Sequence, residues 1–294
     1  MRTQLPSRTA EYMALFRAVE TAEPPRRRLF EDPYALPLLR GVLKALAEFA
    51  RLPVAGRAVP AFLDLGWPST RSSGVVRTRM IDDLVRDAIA AGARQLVLLG
   101  AGFDSRAFRL PEAHGMAVFE VDHPATQNAK RRRLSRFGPP PENVRFVEVD
   151  FERDDLERAL LQAGFDGHCP AAVVWEGVVS YLTAPAVDAN LAVLARLLAP
   201  GSRLIFTYVH QGALDGSVAF RGAWRWKFWV RFRGEPFLFG FDPASLPDYL
   251  RARSFTLQSD RSTADGAQIY CLPHGRKETG SGLYRVAAAL RVGA

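Results

Sequence analysis

Three acidic residues and a glycine turn fall at equivalent places along this chain. Leu96-Val97-Leu98-Leu99 runs into Gly100-Ala101-Gly102, a turn with no side chain larger than a methyl. Ala117 to Val121 runs into Asp122, Val144 to Val149 into Asp150, and Ala171 to Trp175 into Glu176. Each apolar run has the length of a strand, so the turn and the acids stand just past strand ends. In an open parallel sheet that rim is where ligands bind, and a glycine turn lets backbone come close to them. Carboxylates there accept hydrogen bonds from a ribose diol or an exocyclic amine. The turn continues as Phe103-Asp104-Ser105-Arg106, without the third glycine of the dinucleotide fingerprint Gly-x-Gly-x-x-Gly. An acidic rim suits a ligand with net positive character. The sulfonium and amino group of S-adenosylmethionine fit it better than the pyrophosphate of NAD.

The elements that position these residues alternate. A helix over 124–137, one from about Asp154 to Ala163, and one from Pro185 to Leu198 separate the strands, and Arg203 to Val209 is a fifth strand. Strands alternating with helices of this length predict an α/β chain with a parallel sheet covered on both faces. Val76, Met80, Ile81, Leu84, Val85 and Ile89 mark a helix ahead of the first strand, closed by Gly92. Residues 1–75 read as a helical cap, with helices over 7–22 and from Ala35 to about Arg51, then a loop-like region rich in Pro and Gly up to residue 75. The core over 76–294 carries an insertion at about 211–242. Its aromatic and basic stretch, Trp224 to Phe241, reads as a lid over the site in preference to a membrane-surface segment. After a helix near Pro243, two strands are expected at Phe255–Ser259 and Ala267–Leu272, with Asp265-Gly266 as the turn between them. Leu283 to Leu290 fits either strand or helix.

Composition narrows the classes. The 294 residues, 48% apolar and 24% charged, describe an ordinary globular chain large enough for a sizeable core. The net charge is +8, but the arginines are dispersed. The runs Arg26-Arg27-Arg28 and Lys130-Arg131-Arg132-Arg133 read as solvated faces, which argues against a nucleic-acid footprint. Two cysteines make neither a metal spacing nor a disulfide framework, so no metal is expected and a reducing compartment is the default. No run approaches the ~20 apolar residues of a membrane span, and a cytoplasmic, membrane-free protein is expected. The sequence sets no oligomeric state.

With these residues in view, the chain resembles the leucine carboxyl methyltransferase-like group of class I S-adenosylmethionine-dependent methyltransferases. Its bacterial branch holds many O-methyltransferases, some from polyketide pathways. The resemblance runs from about Thr9 to Leu272. It is carried by Asp32-Pro33-Tyr34-Ala35, Arg77-Thr78-Arg79 with Asp82-Asp83, Gly100 to Arg106, Phe119-Glu120-Val121-Asp122, Val149-Asp150-Phe151, Glu176 to Leu182 and Phe239-Gly240-Phe241. It implies a Rossmann-like fold with a seven-stranded, mostly parallel mixed sheet. It also implies S-adenosyl-L-methionine as cofactor, with Arg79 on the methionine carboxylate and Arg17 as a second cation there. Gly100, Ala101 and Gly102 would lie under the methionyl part, Asp122 on the ribose hydroxyls, Asp150 and Phe151 on adenine, and Glu176 near the amino group. Phe151 stands where the family usually has Leu. Asp104 and Arg106 are expected to brace the turn.

Methyl transfer from a sulfonium is an in-line displacement, so alignment and exclusion of water are the main tasks. A carboxylate acceptor needs only positioning, whereas a hydroxyl needs a base within reach. His210, past the fifth strand, and Tyr181, past the fourth, lie at the rim expected to serve either need, although a structural role suits His210 better. The expected acceptor is a small molecule. A protein C-terminal carboxylate is the alternative, and a nucleic-acid substrate lacks its motif, Asp/Asn-Pro-Pro-Tyr/Phe.

Overall fold

The computed structural model describes residues 8–54, 56, 58–66, 69–151, 153–220 and 237–293. Seven strands form one sheet: β1 (Gln95–Leu99), β2 (Ala117–Asp122), β3 (Val144–Glu148), β4 (Ala171–Trp175), β5 (Arg203–Val209), β6 (Phe255–Ser262) and β7 (Tyr284–Arg291). Their order is β3-β2-β1-β4-β5-β7-β6. The first five are parallel, and β7 runs antiparallel to both neighbours. Chain order reverses direction on either side of β1, which makes the gap between β1 and β4 the switch point where open sheets bind ligands.

Alternation along the strands divides the core. Leu96, Leu98, Val118, Val174, Ile205 and Ala288 pack on one face, and Val97, Leu99, Phe119, Val173, Phe206 and Ala289 on the other. Because both faces are covered, the central strands β1 and β4 are buried throughout and read as nearly continuous apolar runs. The first face carries α1 (Arg8–Ala22), α2 (Gly41–Phe49), α3 (Ala58–Gly66) and α4 (Thr70–Ala90). Leu15, Phe16 and Leu38 share its core with Val76, Ile81 and Leu98. The second face carries α7 (Leu156–Gln162), α8 (Ala184–Leu197) and α10 (Leu246–Arg251). The first face also takes Ala107 of α5 (Arg106–Arg109) and Ala129 and Leu134 of α6 (Pro124–Leu134), while Ala213 of α9 (Gln211–Asp215) packs in a small separate cluster with Val209 and Leu283.

Two stretches differ from expectation. The loop-like region before residue 75 contains α3, and α4 begins at Thr70 rather than at Val76. Pro60 lies in the first turn of α3, where its missing N–H costs no helical bond. Gly74 lies inside α4 because α1 packs hard against it: a Cβ there would stand 2.9 Å from the Met13 terminal methyl. The second difference is at the C-terminus. No hairpin turns at Asp265-Gly266. Instead β6 runs on to Ser262 and is followed by α11 (Thr263–Tyr270), and β7 is supplied by Tyr284–Arg291. Ser262 accepts from the Asp265 N–H at 3.1 Å, while the Asp265 carboxylate accepts from the Ser262 N–H at 2.9 Å. This reciprocal capping box makes Asp265 a helix-start residue. Gly266 is there for packing, since a Cβ would come within 2.6 Å of Val76 and Met80 on α4. Most of the expected lid, residues 221–236, lies outside the described residues.

Ser262→Ala is expected to lower the unfolding free energy by about 1 kcal/mol, the usual value of an N-cap. Urea unfolding measures it, and an unchanged midpoint would show that the box holds nothing.

Candidate functional site

Register aligns the rim. Leu99 stands opposite Val121 on β2 and Trp175 on β4, so Gly100 follows between Asp122 and Glu176. Gly100 has φ +64 and Gly102 φ +50, a region that favours glycine. A Cβ on Gly100 would lie 2.3 Å from a Val178 methyl, and one on Gly102 would lie 3.3 Å from Ala10. Over this turn is a cavity of about 500 Å³. Gly100, Ala101, Gly102, Asp122, Phe151, Glu176, Tyr181 and Arg17 line it, joined by Arg77, Met13, Val178 and Leu238.

Asp122 holds the turn as well as facing the cavity. Its Oδ2 accepts from the Gly102 N–H at 2.5 Å and its Oδ1 from the His123 N–H at 2.7 Å. Burial pushes its carboxyl upward, against those two bonds. Behind it, Lys130 Nζ lies 2.7 Å from both oxygens of Glu120, and both residues are fully buried. Burial drives the Glu120 carboxyl up to about 7 although Lys130 opposes it.

Glu176 accepts from Arg77 Nε at 2.9 Å and from Arg106 Nη1 at 2.7 Å. Burial alone would raise its carboxyl, yet Arg106 and Arg77 together hold it below the usual range. Asp104 is treated likewise: burial is outweighed by Arg106, Lys130 and Arg17, leaving it at about 2. Asp104 and Arg106, expected as braces of the turn, are joined at 2.5 Å. Arg106 also reaches Asp82 at 2.7 Å.

Of the two arginines of Arg77-Thr78-Arg79, Arg77 joins Arg17 at the cavity and Arg79 does not. Arg79 turns away to Asp83 at 3.0 Å, to the Leu29 carbonyl at 2.8 Å and over the Tyr270 ring. Residues two apart lie on nearly opposite sides of a helix. The sequence held a signal for this: Arg79 has Asp83 four residues on, whereas Arg77 has Ile81 there. Beyond Glu176, Arg77 has the Met13 sulfur at 3.3 Å, a weak acceptor. Arg17 lines the cavity while anchored by Nε to Asp32 at 2.7 Å and by Nη2 to the Phe103 carbonyl at 2.5 Å.

Asp150 and His210 are not among the residues lining the cavity. Asp150 is half-buried beside Phe151, with its N–H bonded to Asp154 at 2.8 Å and its carboxylate 3.9 Å from Arg153. His210 caps α9: its Nδ1 accepts from the Gly212 N–H at 3.0 Å and its ring packs on Phe220. Tyr181 is at the cavity, its ring 4.9 Å from that of Phe237. Nearby, the Leu238 N–H donates to the Ser180 carbonyl at 2.7 Å. Among the described residues no cluster of His, Cys, Asp and Glu could hold a metal, and no helix is long and apolar enough to cross a membrane.

The residues present fit the methyl donor that the resemblance implies. Arg77 and Glu176 offer one cation and one anion side by side, the complement of an amino-acid zwitterion. Each Asp122 oxygen carries one backbone bond and keeps a lone pair for a ribose hydroxyl.

Because Asp122 also holds two backbone N–H groups, Asp122→Ala is expected to cost about 1–3 kcal/mol of stability in addition to ligand affinity. Asp150→Ala is expected to lower the melting temperature by less than Asp122→Ala does. Thermal melts of the ligand-free variants check both.

A model of the family described as leucine carboxyl methyltransferase matches residues 10–195. A "Putative S-adenosyl-L-methionine-dependent methyltransferase" of Mycolicibacterium gilvum (strain PYR-GCK) is 36% identical over 266 residues, 85% of this chain and 84% of that one. A protein of the same name from Mycolicibacterium paratuberculosis is 39% identical over 203 residues, 67% of this chain and 62% of that one. Among solved structures, a "putative methyltransferase" from Thermobifida fusca YX superposes with a TM-score of 0.61 at 20% identity, covering 94% of this chain and 97% of that one. That likeness is one of fold, the Rossmann-like class I arrangement.

Proposed function

The chain belongs to the leucine carboxyl methyltransferase family, and from that premise we propose that it is an S-adenosyl-L-methionine-dependent O-methyltransferase whose acceptor is a hydroxyl or carboxylate oxygen of a small molecule. The observation that carries this reading is the Arg77–Glu176 pair set beside the Gly100–Gly102 turn and Asp122. When bound, the donor supplies an electrophilic methyl on a sulfonium. Arg77 would present its guanidinium fork to the donor's carboxylate through parallel hydrogen bonds, with Arg17 as the cation behind it. Glu176 would accept from the amino group. Asp122 would accept from the ribose hydroxyls, with Phe151 against adenine and Asp150 at the rim for its amine. The glycine turn lets backbone approach the sulfur side without a side chain intervening.

We read Met13, Val178, Tyr181 and Leu238, which also line the cavity, as the walls on the acceptor side. Three of these are apolar, which suits an acceptor with a hydrophobic body and excludes water from the displacement. Tyr181 is a polar residue of this wall, and its hydroxyl would orient an acceptor oxygen. With His210 occupied as a helix cap, this arrangement favours orientation over proton removal, and a carboxylate, already ionised, asks for nothing more. The family's own description favours one other reading, transfer to the C-terminal carboxylate of a protein.

Calorimetry is expected to give a dissociation constant for S-adenosylmethionine on the order of micromolar. Arg77→Ala should weaken it about tenfold or more, the value of a charged hydrogen-bonded pair, and Arg79→Ala by no more than about twofold. The absence of binding to folded wild type would refute the donor assignment. With labelled methyl donor, label in hydrophobic small hydroxy or carboxylic acids supports the acceptor reading. Label confined to peptides with a free C-terminus overturns it.

A further inference from the structure

Glu176 has two arginines, and they are not equivalent. Arg77 lines the cavity and has the Met13 sulfur as its other acceptor. Arg106 does not line the cavity, is 2% exposed, and is immobilised by three carboxylates and a carbonyl. Its Nε meets Asp82 at 2.7 Å, its Nη1 meets Asp104 at 2.5 Å and Glu176 at 2.7 Å, and its Nη2 meets the Thr78 carbonyl at 3.4 Å. Asp82 does not depend on Arg106 alone, since Arg109 donates to both of its oxygens at 2.7 and 2.8 Å. Among the described residues, Glu176 has Arg77 as its other hydrogen-bonded cation. If Arg77 turns to a ligand carboxylate, Arg106 is the cation left on Glu176.

We propose that Arg106, though it touches no ligand, is the positioning residue that fixes Glu176 as a permanent anion for the donor's amino group and so releases Arg77 to take the donor's carboxylate. The inference rests on reading the cavity as the S-adenosylmethionine site. A buried carboxylate stripped of its partners takes up a proton, and a protonated Glu176 no longer attracts an ammonium group. The groups facing Glu176 are Arg77 from α4 and Arg106 and Asp104 from the turn into α5. The arginines favour its charged form, while burial and Asp104 oppose it. Without Arg106, burial and Asp104 are met by Arg77 alone, so the carboxyl titrates at higher pH. Its charged, binding-competent form then fills only as pH rises.

The test compares two probes by calorimetry between about pH 6 and pH 8. S-adenosylhomocysteine carries the amino-acid end; 5′-methylthioadenosine lacks it. In the wild type the ratio of the two affinities is expected to stay constant across this range. In Arg106→Gln, S-adenosylhomocysteine should bind about tenfold more weakly at the acid end, one unit of titration, and recover towards the alkaline end. 5′-Methylthioadenosine should change by less than about twofold, a few tenths of a kcal/mol. Adding Glu176→Gln should abolish the pH dependence, which assigns the titration to Glu176 and not to Asp104. Arg106→Lys keeps the charge and is expected to restore a flat profile.

Equal weakening of both probes, or a loss independent of pH, would mean that Arg106 merely supports the turn, and it overturns the proposal. If Arg106→Gln does not fold, the wild type and Glu176→Gln decide. A wild-type ratio that varies about tenfold, or a Glu176→Gln that weakens both probes alike, overturns it equally. Failure of the wild type to bind either probe defeats the donor reading itself, a different result from an altered ratio.

Discussion

The fold depends on a closed lattice of buried charges beneath the cavity. Arg17, Arg77, Arg106 and Arg109 face Asp32, Asp82, Asp104 and Glu176, and they come from α1, the segment after it, α4, the glycine turn, α5 and the end of β4. Removing an ion from water costs several kcal/mol unless a partner compensates. Each segment therefore depends on the others to bury its own charge. Asp32 shows the coupling: it accepts from Arg17 on α1 and from Ser105 in the turn, at 2.7 and 2.6 Å. The cap and the turn are thereby set in one geometry. Apolar packing alone tolerates sliding; hydrogen-bonded ions do not.

The balance of that lattice shapes the field in the cavity. Its four cations and four anions cancel. Behind the turn, Lys130 and Glu120 make another matched pair, as do Arg133 and Glu11. Among the described residues the hydrogen bonds to the Asp122 carboxylate come from two neutral N–H groups, while Lys130 acts on it without a direct contact. A donor with a sulfonium, an ammonium and a carboxylate carries one net positive charge, which an acidic residue at the rim complements. Of the acids visible along the sequence, Glu176 is thus paired with two arginines, Arg77 and Arg106.

Much of this was legible because strand ends are local. The runs from Leu96, Ala117 and Ala171 are apolar enough to be buried on both faces, and the residue that follows each is fixed at the rim by register. The helical features depended on phase and on partners distant in sequence. Arg77 and Arg79 look alike as residue types, and only the i+4 partner tells them apart. Asp265-Gly266 has turn composition, but the capping box with Ser262 and the contact of Gly266 with α4 make it a helix start. Gly74 lies within α4 for the same kind of reason, a close approach by Met13. His210 shows the converse: a histidine past a strand end met the expectation for a base by position, while its Nδ1 serves the next helix. Arg106 read as a brace because its sequence neighbours are Asp104 and Ser105. Its contacts with Asp82 and Glu176 span 24 and 70 residues, beyond any local pattern.

The Arg77–Glu176 pair also bears on how tightly such a site can hold its ligand. In the free protein the two side chains satisfy each other at 2.9 Å, so neither stands as an unpaired buried ion. A zwitterion entering between them exchanges one ion pair for two and must shed its own water. The net gain is the difference between large opposed terms. Read as the donor's site, the pair would recognise both charges of the ligand together, since a ligand with only one leaves the other protein charge poorly paired. Affinity is thereby moderated while selectivity is kept, which suits an enzyme that must release its spent donor after each transfer. The selectivity holds only while Glu176 stays charged and immobile, and that requirement leads back to the lattice beneath it.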